Sequence, residues 1–246
     1  MTRRADHRTR CVLFDLDGTL INTWHLYMES FRRTLEQPLE RRLSDADIMA
    51  LHPHAERRLL LSLMEEHEFS PVFDRFLTHY ASLHDELFGG FYAGVLDMLA
   101  QIHGQGYLLG IVTGKSREAW RITSTRLEDQ AFEQFFDVVL TDDDVRSPKP
   151  SPEGLLMALD ILDVDPAHAL YIGDSKLDGQ AATAAGLPFG AALWAQARPA
   201  QERFADPVQQ TDAAEPFADP SQATAFLLNW GTPKPTPSKS TKQRVR

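Results

Sequence analysis

The stretch Cys11-Val12-Leu13-Phe14-Asp15-Leu16-Asp17-Gly18-Thr19 decides the fold class of this chain. Four apolar residues run without interruption into an aspartate, a second aspartate follows two positions on, and Gly18 supplies a turn. A short continuous apolar run that ends in a turn reads as a strand buried on both faces, the kind found in parallel sheets. Runs of the same kind recur at Tyr107–Val112 before Thr113, Val138–Leu140 before Thr141 and Ala169–Ile172 before Gly173. A fifth, Pro188–Leu193, follows Gly186. Helical patterns separate them at Val95–His103, Ser116–Leu127, Pro152–Leu162 and Lys176–Ala185, with Pro152 in a first turn and Gly186 just past a last one. This alternation predicts an α/β fold built on a doubly wound parallel sheet.

Between the first strand and the first of these helices the rhythm breaks. From Trp24 to Gly90 there is no β-branched strand run, and the composition turns to Leu, Glu, Arg and His. Leu59, Leu60, Leu63 and Met64 mark one helix, and Val72, Phe73, Phe76, Leu77, Tyr80, Leu83, Leu87 and Phe88 mark another. The organisation expected is an α/β core over 11–22 and 91–230, an all-helical insert over 23–90 that returns through Gly89-Gly90, a basic tail over 1–10 and a disordered basic tail over 231–246. The two tails carry +3 and +5 of a net charge of −10, so the 220 residues between them sum to −18. An acidic body argues against a nucleic-acid groove, which needs clustered Lys and Arg. No stretch approaches a membrane span. Lone Cys11 permits no internal disulfide, which points to a reducing, cytoplasmic setting.

Ligands of doubly wound sheets bind beyond the carboxyl ends of the strands. Those ends offer Asp15-x-Asp17-Gly18-Thr19, then Thr113-Gly114-Lys115, then Lys149 between two prolines, then Gly173-Asp174-x-x-x-Asp178. In this order they resemble the four motifs of the haloacid dehalogenase (HAD) superfamily. The helical insert resembles the C1-type cap of its phosphoglycolate phosphatase-like branch. The resemblance spans roughly residues 10–195.

Phosphoryl transfer spreads charge over the equatorial oxygens, so its sites need a nucleophile in line, a cation and hydroxyl or ammonium donors. Asp15 is the candidate nucleophile, through an aspartyl-phosphate, and Asp17 the candidate acid toward the leaving alcohol and base toward water. The resemblance implies Mg²⁺ held by the side chains of Asp15 and Asp174 and the carbonyl of Asp17. It implies phosphoryl contacts from Thr113, Gly114 and Lys149, with Asp178 orienting Lys149 or metal-bound water. The activity expected is a Mg²⁺-dependent phosphatase acting on a small phosphorylated metabolite such as 2-phosphoglycolate. A sugar phosphomutase or a pyrophosphate or nucleotide hydrolase would use the same site, and a non-catalytic binding protein would not need these four motifs intact. Dehalogenation is disfavoured, since that branch lacks the second aspartate.

Three further patterns are set aside. Gly110-Ile-Val-Thr-Gly114-Lys115-Ser116 imitates a phosphate-cradling loop, but its first glycine stands one residue too close to the Gly-Lys pair. Asp142, Asp143 and Asp144 cannot all face one ion and read as a solvated turn. Six of the nine histidines (His25, His52, His54, His67, His79 and His84) fall in the insert without metal-ligand spacing and read as helix surface. The family pattern is departed from at Asn22, where Asp is frequent, and at Ala93-Gly94-Val95, where Pro-Gly-Val is common. Within the insert, His52, His54, Arg57 and Arg58 form a dense polar cluster, and Arg57 and Arg58 are the candidates for touching an anionic leaving group.

Overall fold

A computed structural model describes residues 10–51, 55–194 and 214–230. The expectations for the two basic tails, apart from Arg10, and for His52 and His54, lie outside the described residues.

Six parallel strands form one sheet in the order β3-β2-β1-β4-β5-β6. They are β1 (Cys11–Phe14), β2 (Leu108–Val112), β3 (Val138–Leu140), β4 (Ala169–Gly173), β5 (Phe189–Ala192) and β6 (Ala214–Phe217). The chain winds outward from β1 through β2 to β3, then crosses back to β4 on the other side of β1. The crevice of a doubly wound sheet therefore opens between the carboxyl ends of β1 and β4. Phe14 stands level with Ile172, and the Asp15 N–H donates to the Ile172 carbonyl at 2.9 Å.

Four strands, β1, β2, β4 and β5, are almost entirely buried, which is why they are continuous apolar runs. One face of the sheet packs on α5 (Val95–Gly104) and α9 (Pro220–Asn229) through Leu99, Ile102, Leu109 and Leu227. The other packs on α7 (Glu153–Leu162) and α8 (Lys176–Ala185) through Leu13, Leu155, Leu159, Ala182 and Tyr171. A further helix, α6 (Arg117–Arg126), follows β2 and begins on a Ser116 hydroxyl that accepts the Ala119 N–H. The sheet has one strand more than the five runs of the sequence. The sixth, Ala214–Phe217, is four residues long and contains Pro216, so it carries no recognisable strand pattern; proline is tolerated because β6 lies at the sheet edge.

The insert is helical throughout its described elements: α1 (Trp24–Leu35), α2 (Asp45–Met49), α3 (Glu56–Leu63) and α4 (Glu66–Leu87). It has its own apolar cluster, in which Trp24, Tyr27, Met28, Phe31 and Leu35 of α1 meet Val72, Phe73, Phe76, Tyr80 and Leu83 of α4. These are i, i+3, i+4 stripes on two helices laid side by side. The two connections to the core bond to each other: Asn22 N–H donates to the Gly90 carbonyl at 2.8 Å and Gly89 N–H to the Asn22 carbonyl at 2.9 Å. We call these helices the cap. No helix among the described residues is long and apolar enough to cross a membrane.

Candidate active site

The β1–β4 crevice gathers the strand-end residues around a cavity of about 310 Å³. Asp15, Asp17, Thr113, Gly114, Lys115, Lys149, Asp174 and Asp178 line its floor, and Tyr27, Leu51, Ala55, Glu56, Arg58, Leu59 and Ser62 of the cap line its roof. The turn after β1 depends on Gly18, whose φ is +92°; a Cβ there would stand 2.5 Å from a carboxylate oxygen of Asp174. That close approach is what lets the β1 and β4 loops share one site.

Lys149 is the hub of the floor. Its Nζ donates to Asp15 Oδ1 at 2.6 Å, to Asp178 Oδ1 at 2.7 Å and to the Tyr171 hydroxyl at 3.1 Å. Tyr171 in turn donates to Asp178 Oδ1 at 2.8 Å, and the Ser175 N–H and hydroxyl both donate to Asp178 Oδ2. Burial alone would raise the Asp178 carboxyl, but Lys149, Ser175 and Tyr171 together hold it below the ordinary carboxylate range. Its oxygens are spent on orienting Lys149 and capping α8.

Asp15 and Asp174 are in the opposite condition. Loss of solvent pushes the buried Asp15 carboxyl up to about 7, outweighing Lys149, with Asp178 and Asp17 adding repulsion. Asp174 is raised well above its ordinary value by poor solvation and by Asp15 and Asp178 alongside. Among the described residues its one side-chain donor is the Thr19 hydroxyl, at 3.2 Å. Oxygens of Asp15, Asp174 and Asp178 lie within 4.8 Å of one another, and Lys149 pairs with Asp15 and Asp178. Hard oxygens, crowded and short of positive charge, fit a divalent cation bound by Asp15 and Asp174.

Thr113 is buried and Gly114 partly exposed where β2 ends; the Thr113 hydroxyl accepts the Lys115 N–H at 3.2 Å. Lys115, passed over in the sequence as part of a loop imitation, is fully buried between core and cap. Its Nζ reaches the Tyr27 hydroxyl at 2.7 Å, the Tyr80 hydroxyl at 2.8 Å and Asp17 Oδ1 at 3.1 Å. Burial opposes its charge, but Asp17, Tyr80 and Glu56 outweigh that and hold the ammonium above the usual lysine value.

Arg57 and Arg58 stand on the seam between cap and core rather than free toward a leaving group. Arg58 Nε donates to both carboxylate oxygens of Asp142, at 2.7 and 2.8 Å, and its Nη2 to the Val145 carbonyl at 2.9 Å. Arg57 does not line the cavity; it lies over the Phe69 and Phe73 rings, 3.6 Å from Asp143. The aspartate triplet is accordingly a turn solvated only in part. Asp142 is 3% exposed beneath Arg58, and Asp143 and Asp144 take the Arg117 N–H and guanidinium. Among the histidines of the cap, His84 departs from the surface reading, being 1% exposed against Tyr80 and Phe88.

Fold and site together define a hydrolase of the phosphatase type. The chain belongs to the haloacid dehalogenase-like hydrolase family, whose model matches residues 12–192. It is 35% identical over 192 residues to pyrophosphatase PpaX of Bacillus cereus (strain B4264), covering 76% of this chain and 84% of that protein. A Lactobacillus plantarum structure described as a "putative phosphoglycolate phosphatase" superposes with a TM-score of 0.72 at 28% identity, over 89% of this chain and 99% of that one. CbbY from Rhodobacter sphaeroides, in complex with phosphate, shares the fold with a TM-score of 0.72 at 21% identity, over 87% and 96% of the two chains.

Proposed function

We propose that this enzyme is a Mg²⁺-dependent phosphatase that hydrolyses a small phosphomonoester through an aspartyl-phosphate on Asp15. The observation that carries the reading is the pairing of Lys149 with Asp15 at 2.6 Å on a rim shared with Asp17, Thr113 and Asp174. An ammonium beside the nucleophile holds a phosphoryl oxygen next to the attacking carboxylate. Asp15, Asp174 and the Asp17 carbonyl would hold Mg²⁺, which would supply the positive charge that lets an anionic carboxylate meet an anionic phosphoryl group.

In the first step an Asp15 oxygen bonds to phosphorus while the ester P–O bond breaks, and Asp17 gives its proton to the departing oxygen. Thr113, the Gly114 turn and Lys149 hold the phosphoryl oxygens through the displacement. In the second step Asp17 takes a proton from water, the water oxygen bonds to phosphorus, and the bond to Asp15 breaks. Asp178 and Tyr171 keep Lys149 aimed throughout.

The size of the leaving group is set by the roof. A cavity of about 310 Å³ lies at the small end of ligand pockets, which suits a metabolite better than a nucleotide. Among the described residues, each cation lining it already has a carboxylate partner: Arg58 with Asp142, Lys115 with Asp17, Lys149 with Asp15 and Asp178. This favours a monoester over pyrophosphate, the substrate in the relative's name.

Phosphate release across a panel of 2-phosphoglycolate, sugar phosphates, a nucleoside monophosphate and pyrophosphate, with and without Mg²⁺, tests the proposal. Release from small monoesters only when Mg²⁺ is present is expected. Release from pyrophosphate alone, or movement of phosphate between sugar hydroxyls without release, would overturn it.

A further inference from the structure

We propose that Lys115 is a positioning residue that ties the orientation of the Asp17 carboxylate to closure of the cap. The inference rests on the phosphatase reading and adds to it a residue that touches neither phosphate nor metal.

A lysine ammonium has three protons to donate. Lys115 donates to the Tyr27 and Tyr80 hydroxyls, at 2.7 and 2.8 Å, and its ammonium makes an ion pair with Asp17 Oδ1 at 3.1 Å. The lysine belongs to the core, at the end of β2, whereas Tyr27 sits on α1 and Tyr80 on α4 of the cap. A third cap helix reaches the same corner: Glu56, at the start of α3, accepts the Ser116 N–H at 2.7 Å and the Tyr27 hydroxyl at 3.3 Å. Three cap helices thus meet the two core residues Lys115 and Ser116, and through Lys115 they meet Asp17.

The effect on Asp17 is specific. Its Oδ1 accepts from the Thr23 hydroxyl at 2.7 Å, on the first connection into the cap, and is ion-paired with Lys115 at 3.1 Å. A hydrogen bond and an ion pair on the same oxygen hold the carboxylate and leave Oδ2 for the leaving group. When the cap lifts, Tyr27 and Tyr80 withdraw, and the buried ammonium loses two of its three partners. An ammonium cannot stay buried so poorly satisfied, so it re-solvates and releases Asp17 from its aimed position. Proton delivery is then restricted to the closed state, where the cap also covers the phosphate.

The test is the ratio of kcat/KM for an alkyl phosphate to kcat/KM for p-nitrophenyl phosphate, since kcat/KM reports steps through the first phosphoryl transfer. An alkoxide needs the proton of Asp17 to leave, whereas nitrophenolate departs without it. Lys115→Met is expected to lower the alkyl value by about 30-fold and the aryl value by less than about threefold. Tyr27→Phe and Tyr80→Phe retain the rings and remove one hydroxyl each; both are expected to shift the ratio in the same direction, and neither to shift it further in a Lys115→Met background. If Lys115→Met does not fold, the two tyrosine variants decide the matter alone. Equal falls on both esters, or wild-type values on both, would overturn the proposal. A wild-type enzyme that turns over neither ester nor any member of the panel would instead sink the phosphatase reading.

Discussion

Arg58 of the cap closes on Asp142 of the core through a two-point hydrogen bond, Nε to both carboxylate oxygens at 2.7 and 2.8 Å. The pair joins the start of α3 to the turn after β3, at the rim of the β1–β4 cavity. Its partner carboxylate is buried, so Arg58 holds the roof in place and satisfies a group that cannot reach water.

Removing the guanidinium leaves Asp142 stranded. Arg58→Ala is therefore expected to lower stability by about 1–3 kcal/mol, read by urea denaturation, because hydrogen bonds to charged groups are the costly ones to break. Asp142→Asn, which keeps an acceptor, should cost less. A denaturation midpoint unchanged in Arg58→Ala would show that the seam carries no energy.

Asp15→Asn removes the proposed nucleophile with little change in shape. Turnover on the best monoester should fall by at least about 10³ while the thermal midpoint stays at or above that of the wild type. Stability is not expected to drop, since burial holds the Asp15 carboxyl up at about 7 and a neutral amide avoids that strain. Activity within about tenfold of wild type would displace Asp15 from its role.

The same carboxyl is expected to set the pH dependence of metal binding. Without a cation Asp15 takes up its proton near pH 7, so protons and Mg²⁺ compete for the site as pH falls through that value. Chelation with EDTA should abolish turnover and Mg²⁺ restore it, while Ca²⁺, with its looser coordination, should inhibit. In a thermal-shift titration the rise caused by Mg²⁺ should be larger at pH 8 than at pH 5.5. An equal rise at both, or full activity after rigorous chelation, would count against Asp15 as a ligand.

His84 supplies a stability term of the opposite kind. Its ring is buried, its Nε2 has no hydrogen-bond partner among the described residues, and burial together with Arg126 and Lys115 pushes it down to about 4. The folded value lies below the unfolded 6.5, so this contribution is complete above pH 6.5 and is lost as pH falls toward 4. One proton taken up on unfolding gives a slope of about 1.4 kcal/mol per pH unit at most. The stability of His84→Leu relative to wild type should therefore improve from pH 7.5 to pH 5, whatever its sign at either. A constant difference across that range would place the ring in contact with water.

Asp15, Asp17, Lys149 and Asp174 were legible in the sequence because each follows a strand end, and a doubly wound sheet brings strand ends to one rim. Lys115, Tyr27, Tyr80 and Glu56 were not. Their meeting is made by the cap folding back over the core, and no spacing along the chain encodes it. The available signal was a lysine three residues past the end of an apolar strand, which the resemblance to a phosphate loop obscured. Tyr171 was hidden in the same way, as one aromatic within an apolar run, although its hydroxyl orients both Lys149 and Asp178. Arg57 and Arg58 were visible as a cluster, but a cationic pair looks the same whether it faces a ligand or a buried aspartate across a seam. Strand β6 was missed because Pro216 and Glu215 break the apolar pattern where an edge strand tolerates them.

The central claim is that phosphate passes through Asp15, and trapping it there is the direct measurement. Wild-type enzyme mixed with Mg²⁺ and its best monoester, quenched in acid during turnover and reduced with borohydride, should yield homoserine at position 15, identified by peptide mass spectrometry. Borohydride reduces an acyl phosphate and spares a free carboxylate, so untreated enzyme should remain aspartate. Phosphate release with Asp15 unmodified, or reduction at another residue, would contradict the account.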